Sequence, residues 1–223
     1  MKKYISILNN TKLFEGISER ETESMLGCLD ARLKIFKKGE YILRQGDFSE
    51  NVMILVKGNI LIQSEDYWGN RSIVSHIGEG DMFGEAYAGD KAALVLNDAV
   101  ATEDCDVIFF NVKKLLTTCS SACKFHSKVV QNMFFAVLDK NRKLVGKLRH
   151  VSRRTTREKL ISYLSDEAKK QHSSNITIPF NRQQLADFLS VDRSAMSNEL
   201  CKMRDEGLLS FRKNQFKLID IEK

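Results

Sequence analysis

The sequence predicts an α+β fold with three parts: an N-terminal, jelly-roll-like β roll, a long helix, and a C-terminal winged helix-turn-helix. Glycines separate short apolar runs from residue 35 to residue 110, and a helical period follows as far as about residue 149. Two capped short helices then precede a hairpin with a basic tip. From these observations we expect domains at residues 1–115, 116–150 and 151–223.

The predicted β roll follows a segment, residues 13–29, whose apolar spacing indicates one or two short helices. Its strands are short, as in residues 52–56 and 60–62, and a Lys-Gly-Asn sequence at residues 57–59 separates these two. Because Gly and Asn tolerate positive φ, they favour tight turns at such points. Short strands with turns roughly ten residues apart are typical of an antiparallel roll or barrel.

The long helix is predicted from a heptad-like seam that continues for about four heptads. Such a seam needs a partner helix, so we expect a homodimer in which a second copy of the chain pairs along it. Met133, Ala136, Leu138 and Val145 lie beside the seam and are expected to pack on the β roll. Asn141 either pairs with its twin and fixes the register or faces solvent near the helix end. The predicted seam residues are Val130, Phe134, Val137, Asn141, Leu144 and Leu148.

Capping residues mark the helices of the C-terminal domain, because their side chains accept hydrogen bonds from the free N–H groups of a first helical turn. Gly207 is placed to end the last of these helices. Two short helices joined by a tight turn at residues 190–191, and followed by a hairpin with its tip at residues 212–215, are typical of a winged helix-turn-helix. The predicted helix starts are Thr155 with Glu158, Asn181 with Gln184, and Asp192.

The positive charge of the chain is concentrated in its last third. Residues 149–223 hold 15 Lys and Arg against 10 Asp and Glu, whereas the first 148 residues hold 20 against 19. A basic block attached to a nearly neutral body favours a polyanionic partner, most often a nucleic acid. We therefore expect double-stranded DNA to bind the C-terminal domain.

The second helix of the helix-turn-helix motif has residues suited to base recognition. Arg193 and Asn198 can make paired hydrogen bonds to the edges of guanine and adenine, respectively. Ser194 and Ser197 can contact a base or a phosphate. Basic residues around this face are expected to contact phosphates without reading sequence. The predicted phosphate contacts are Arg182, Lys202, Arg212 and Lys213.

Composition excludes several classes of protein. A hydrophobic fraction of 43% with 29% charged residues is typical of a globular chain and not of a disordered one. The longest apolar run, residues 133–138, is far shorter than the roughly 20 residues of a membrane-spanning helix, and the apolar stretch near the N-terminus is too short for a signal peptide. Five cysteines, an odd number, do not form a disulfide framework here. We expect a cytoplasmic protein with no membrane partner.

Sequence motifs occur in both halves of the chain. They are residues 36–40 (FKKGE), 45–47 (QGD), 58 (Gly) and 80–85 (GDMFGE), followed by 182–189 (RQQLADFL), 193–200 (RSAMSNEL) and 206–209 (EGLL). The first group resembles the cyclic-nucleotide-binding β roll, and the second resembles the C-terminal domain of the CRP/FNR transcription regulators. The resemblance implies a homodimer that binds palindromic DNA, alters transcription with RNA polymerase as a partner, and responds to an effector sensed in the β roll.

The resemblance ends at the effector position. Cyclic-AMP-responsive members carry an Arg-Ser pair for the cyclic phosphate, where this chain has Val95 and Leu96. Asn141 and Arg142 replace the threonine and serine that meet the adenine in those members. Only Cys28 precedes the roll, so the cysteine cluster of the iron–sulfur members is also missing. Cyclic AMP is thus not the expected effector, and the cofactor remains unknown. The implied effector pocket consists of Gly84, Glu85, Val95, Leu96 and Asn141.

Two questions stay open from the sequence. Cys119, Cys123 and His126 have a helical spacing that suits a metal or redox site, or they are buried small side chains beside a surface histidine. The whole chain is a DNA-binding regulator, or it is a small-molecule-binding regulatory module whose basic tail docks on a protein. An enzyme is not expected, because the sequence has no Ser-His-Asp order, phosphate-binding glycine loop or HExxH motif.

Overall fold

The computed structural model describes residues 2–69, 71–90, 92–117 and 124–219. These residues form two compact units. The first holds the described residues up to 69 together with 74–141, and the second holds 71–73 together with those from 142 onward. The predicted α+β fold class is confirmed, with a β roll, a long helix and C-terminal helix-turn-helix helices. Among the described helices, none has the length and apolar character that a bilayer-spanning segment requires.

The β roll of the first unit consists of two four-stranded sheets with strand orders β1-β8-β3-β6 and β2-β7-β4-β5. Its central pair is antiparallel, with Met53 of β3 opposite Phe109 of β8. The strands are β1 (Arg32–Phe36), β2 (Tyr41–Leu43), β3 (Asn51–Lys57), β4 (Ile60–Glu65), β5 (Arg71–Ile77), β6 (Met82–Phe83), β7 (Asp98–Ala101) and β8 (Cys105–Asn111).

Strand β3 is apolar from Val52 to Val56 because it lies between two cores. Val52 and Ile54 are buried in the cluster that includes the N-terminal helices, whereas Met53 and Leu55 are buried in the interior of the roll. Successive side chains of a strand point to opposite faces, so both faces of β3 are covered. A strand buried on both faces produces the uninterrupted apolar run of the sequence.

The chain passes from one sheet to the other at Gly58. Its φ is 96°, and a Cβ at this position would lie 2.7 Å from both Asp104 O and Cys105 Sγ. Glycine is therefore required for the turn and for the close approach of the neighbouring backbone. The predicted turn is present, but the strands on either side of it, β3 and β4, belong to different sheets.

The helices of the first unit lead into the long helix. They are α1 (Ile5–Asn9), α2 (Glu19–Cys28), α3 (Val112–Leu116) and α4 (Lys124–Val151). Thr117 ends α3 with extended backbone, and the described part of the long helix begins at Lys124. Val129 and Ala136 of α4 are buried in the same apolar cluster as residues of α1 and α2. One face of α4 therefore packs on its own unit. Of the four residues expected there, Ala136 is buried and Met133 is partly buried, whereas Leu138 and Val145 are exposed.

The second unit contains the C-terminal end of α4, then α5 (Thr156–Gln171), β9 (Asn175–Thr177), α6 (Arg182–Leu189), α7 (Arg193–Asp205), β10 (Leu209–Arg212) and β11 (Gln215–Leu218). The three predicted caps are present: Thr155, Asn181 and Asp192 accept backbone hydrogen bonds at 3.2, 3.0 and 2.7 Å. The strands form a sheet in the order β10-β11-β9. Strand β9 was not predicted, because three residues are too few to show an alternating pattern.

Candidate nucleic-acid interface and effector site

Helix α7 has one buried face and one exposed face. Met196 and Leu200 have no exposed surface, and they pack into the core of the second unit. On the other face Arg193, Ser194 and Asn198 are exposed and Ser197 is half-buried. The structure therefore brings the four predicted base-reading residues together on the outward face of the first turns of one helix.

Helix α7 is anchored to α5 by Arg157. The Nη1 and Nη2 atoms of Arg157 donate hydrogen bonds to the carboxylate of Glu206, at 2.8 and 2.7 Å, and Nε donates to Glu199. The Arg157 guanidinium holds the pKa of the Glu206 carboxyl below its ordinary value. These contacts join residues 42 and 49 positions apart in the chain, so sequence reasoning did not find them.

The turn between α6 and α7 is held from α5 as well. Lys159 Nζ donates to the carbonyl oxygens of Leu189 and Ser190, at 3.2 and 3.1 Å. These carbonyls lie at the C-terminal end of α6, where a cation is favourable because backbone acceptors there lack helical partners. Ser190 itself takes a left-handed backbone with φ of 52°, which ends α6. Two side chains of α5 thus hold α7 and the turn that precedes it in place.

The wing is the hairpin of β10 and β11. Arg212 and Gln215 are opposite each other, and Lys213 occupies the tip with φ of 54°. Asn214 Nδ2 donates to Ile178 O at 2.9 Å, which ties the turn to the chain that precedes α6. Arg212 and Lys213 are both exposed, as is Lys202 on α7. Within the described part of the chain, none of these three cations forms an ion pair.

Arg182, the fourth predicted phosphate contact, has different surroundings. Its guanidinium carbon lies 4.5 Å from the ring centroid of Phe211 and 4.8 Å from that of Phe216. The side chain is half-buried, and burial lowers the pKa of its guanidinium from the ordinary value. Its Nη2 atom is buried and has no hydrogen-bond partner among the residues that the structure describes.

The predicted effector residues of the first unit do not share one environment. Gly84 has φ of 81°, and a Cβ there would lie 2.2 Å from Met53 Cε. Glu85 follows it, and both of its carboxylate oxygens accept hydrogen bonds from Lys140 of α4, at 2.9 and 2.8 Å. Val95 is 1% exposed inside the roll, whereas Leu96 is 64% exposed.

The interior of the roll around Val95 is apolar. Val95 belongs to a buried cluster with Phe83, Ala99 and Phe109. Asn141 is exposed on α4, immediately after the lysine that contacts Glu85. Lys140 was not identified from the sequence as a neighbour of the predicted effector residues. The only indication in the sequence is that Lys140 directly precedes Asn141.

The predicted seam of α4 is exposed on the described chain. Phe134 is 59% exposed and Leu148 is 64% exposed, which is unusual for large apolar side chains. Val137, Leu144 and Asn141 are also exposed, and Val130 is half-buried. Four further apolar residues of α4 are exposed as well: Phe125, Phe135, Leu138 and Val145.

His126 is buried and not a surface histidine. It is 3% exposed, and its Nε2 atom lies 2.7 Å from the carbonyl oxygen of Leu115. A satisfied core histidine has this arrangement. Cys119 and Cys123, the other members of the predicted trio, lie outside the described residues. Within the described ranges, no group of three His, Cys, Asp or Glu side chains is placed to hold a metal ion.

A second buried histidine, His150, lies at the end of α4. Its Nδ1 atom is 2.8 Å from Ser162 Oγ, and its Nε2 atom is 3.5 Å from Asp166 Oδ2. The ring packs edge-on against Tyr163, with 5.7 Å between centroids. Burial lowers the pKa of His150 from its ordinary value. Sequence reasoning did not single out this group, because His150 reaches α5 only through the fold.

Comparison with known proteins identifies two domain types in the chain. Residues 33–122 match the model of the cyclic nucleotide-binding domain, and residues 158–223 match that of the Crp-like helix-turn-helix domain. The nitrogen fixation regulation protein FixK of Azorhizobium caulinodans is 25% identical over 186 residues, which are 79% of this chain and 70% of FixK.

Other similarities concern one domain or the fold alone. Human cGMP-dependent protein kinase 2 is 26% identical over 85 residues, which are 38% of this chain, and the match spans only 11% of the length of the kinase. The structure of a CooA mutant from Carboxydothermus hydrogenoformans has a TM-score of 0.72 and 16% sequence identity, with 98% of this chain and 92% of that chain covered. At this identity the likeness shows a shared fold.

Proposed function

Because the chain belongs to the CRP/FNR family of transcription regulators and has a helix-turn-helix DNA-binding domain, we propose that it binds a palindromic site in double-stranded DNA as a homodimer. The observation that carries this proposal is the outward face of α7, where four polar residues lie opposite the buried Met196 and Leu200. RNA polymerase is the proposed partner in transcription, and the cytoplasm is the proposed compartment.

In this proposal the N-terminal turns of α7 enter the major groove. Arg193 and Asn198 read base edges, and Ser194 and Ser197 contact bases or phosphates. Lys202, Arg212 and Lys213 contact phosphates, and their exposure supports that role. The anchoring of α7 by Arg157 supports it further, because a base-reading helix must be held in one orientation.

The proposed dimer forms along α4. An apolar seam with Phe134 and Leu148 more than half exposed gains stability when a second copy covers it. Asn141, exposed at the middle of the seam, is available to pair with its twin. The proposed division of labour is sensing by residues 1–115, dimerisation by 116–150 and DNA binding by 151–223.

The proposed effector of the β roll is not cyclic AMP. Val95 is buried among apolar side chains, and its own side chain offers the cyclic phosphate neither a cation nor a hydroxyl. Losing two hydrogen bonds to a charged group weakens binding by roughly 10² to 10⁴ fold. Isothermal titration with cyclic AMP and cyclic GMP tests this, and low-micromolar binding coupled to tighter DNA affinity would contradict it.

The DNA-binding proposal is tested by selecting DNA from a random pool with the full chain and then measuring affinity for the selected site. We expect enrichment of an inverted repeat, since a two-fold symmetric dimer has two equivalent reading heads. The control is Arg20→Ala, which removes an exposed arginine of α2, outside the second unit. Absence of enrichment over repeated rounds would favour the alternative, a regulatory module that docks on a protein.

A further inference from the structure

We propose that Arg182 is a positioning residue that braces the wing hairpin against helix α6, and that it does not itself contact a DNA phosphate. The inference rests on the proposed DNA-binding function. It concerns how the basic tip of the wing is held in place to reach the DNA backbone.

The first observation is the position of the Arg182 guanidinium over two wing side chains. Phe211 of β10 and Phe216 of β11 are opposite each other in the hairpin, and their ring centroids are 6.0 Å apart. The Arg182 guanidinium carbon lies within 5 Å of both ring centroids, at 4.5 and 4.8 Å. A planar guanidinium stacks well on aromatic faces. One side chain from the first residue of α6 therefore contacts both strands of the wing.

The second observation is that one nitrogen of this guanidinium is buried. The Nη2 atom of Arg182 is buried, so a phosphate oxygen cannot reach it unless a neighbouring side chain moves. Burial also lowers the pKa of Arg182. Lys202, Arg212 and Lys213 differ from it, because they are exposed. Among the four predicted phosphate contacts, Arg182 alone has its charged group against an apolar surface.

The third observation is that two side-chain contacts hold the wing in addition to the pairing of β11 with β9. The Asn214 side chain ties the turn to Ile178, and Arg182 holds the aromatic face of the two strands. Arg212 directly follows Phe211, and Lys213 at the tip has a left-handed backbone. If Arg182 is removed, the hairpin keeps its pairing with β9 and the attachment at its turn, but it loses the contact on its aromatic face. Its two exposed cations are then held less firmly in one orientation toward the DNA.

The test is a cycle of variants in the full chain, measured by fluorescence anisotropy with the selected DNA at several salt concentrations. The variants are Arg182→Ala, Arg182→Lys, a wing variant with Arg212→Ala and Lys213→Ala, and the combination of Arg182→Ala with the wing variant. If Arg182 acts through the wing, Arg182→Ala lowers the affinity of the natural chain but does not lower that of the wing variant further. The combined variant also keeps the salt dependence of the wing variant.

A direct phosphate contact predicts different results. The combined variant would then bind more weakly than the wing variant, and the slope of log affinity against log salt would fall by a further 0.9 or so. Arg182→Lys separates the roles again, because an ammonium group can hold a phosphate but cannot cover two rings as a flat guanidinium does. We expect Arg182→Lys to bind nearly as weakly as Arg182→Ala. Binding equal to the natural chain would overturn the proposal.

Folding is controlled independently of DNA affinity. Thermal unfolding of each variant shows whether the second unit is intact, and Lys169→Ala, an exposed lysine of α5, is the matched control. Should Arg182→Ala unfold, Phe211→Leu takes its place, since it removes the same contact from the wing side. We expect its loss of DNA affinity not to add to the loss caused by the wing variant. If the natural chain selects no DNA, the proposed function is wrong. If it selects DNA and the affinity losses of Arg182→Ala and the wing variant add, only the positioning role of Arg182 is wrong.

Discussion

The ammonium group of Lys140 contacts both carboxylate oxygens of Glu85, at 2.9 and 2.8 Å. This pair links the end of the Gly84-Glu85 turn of the roll to the long helix α4. Both side chains are less than a third exposed, at 26% for Lys140 and 14% for Glu85. The carboxylate of Glu85, a residue of the implied effector pocket, therefore already has an internal cation in this chain.

Replacing this cation should destabilise the first unit. Lys140→Met leaves the Glu85 carboxylate mostly buried without its partner, at an expected cost of about 1–3 kcal/mol in the free energy of unfolding. Adding Glu85→Gln should recover part of the loss, because no unpaired charge remains. Urea unfolding measures both effects. Lys128→Met, an exposed lysine of the same helix, is the control, and an equal cost for the two lysine variants would show that the pair contributes little.

Arg193 and Lys213 should affect DNA binding in different ways. Arg193→Ala removes a paired hydrogen bond to a base, so we expect it to weaken binding to the selected site by about 1–3 kcal/mol and to relax preference at one base pair per half-site. Lys213→Ala should weaken binding to selected and random DNA alike. Competition between the two DNAs measures the difference, and equal losses for Arg193→Ala on both would remove it from base reading.

Two charges on the α4 seam should dissociate the proposed dimer. Val137→Glu together with Leu144→Glu puts like charges opposite their twins across an apolar surface. We expect sedimentation to show a monomer, and DNA affinity to fall because one half-site supplies about half of the contacts. Gln131→Glu places one charge on an exposed polar position of the same helix and should leave the oligomeric state unchanged. A double variant that sediments like the natural chain would show that the seam does not hold the dimer.

Local patterns were predicted well from the sequence because their physical causes are local. The caps at Thr155 and Asn181 satisfy backbone N–H groups three residues away, so a window of four residues contains the whole interaction. The sharp turn at Gly58 follows from a backbone conformation that other residues avoid. The exposed face of α7 follows from a period of 3.6 residues.

The features that the sequence did not reveal depend on distant contacts. Lys140 meets Glu85 across 55 positions of the chain, and no pattern near either residue marks the pair. The charge and position of Arg182 were visible in the sequence, whereas the two rings beside it come from strands that only the fold brings there.

The buried imidazole of His150 should make the stability of the second unit depend on pH. Its ring faces Ser162, Asp166, Glu167 and Lys170 of α5, and Arg149 precedes it on α4. Burial is the main cause that lowers its pKa in the folded chain; nearby Asp166 opposes this effect, and Arg149 adds to it.

The sign follows from proton linkage. In the unfolded chain His150 binds a proton at its ordinary pKa, about 6.5, and in the folded chain only at lower pH. Between these two values the unfolded state holds more protons, so acidification favours unfolding. The contribution of neutral His150 to stability is complete above about pH 6.5 and is lost as the pH falls through the pKa of His150 in the folded chain.

The variant His150→Gln removes this titration. The free energy of unfolding of the variant should therefore fall less than that of the natural chain between about pH 7.5 and about pH 5.5. Urea unfolding at several pH values measures this difference, with the exposed His172→Gln as the control. Parallel pH profiles for the natural chain and His150→Gln would show that His150 titrates alike in both states, and that burial beside Ser162 and Asp166 does not exclude the proton.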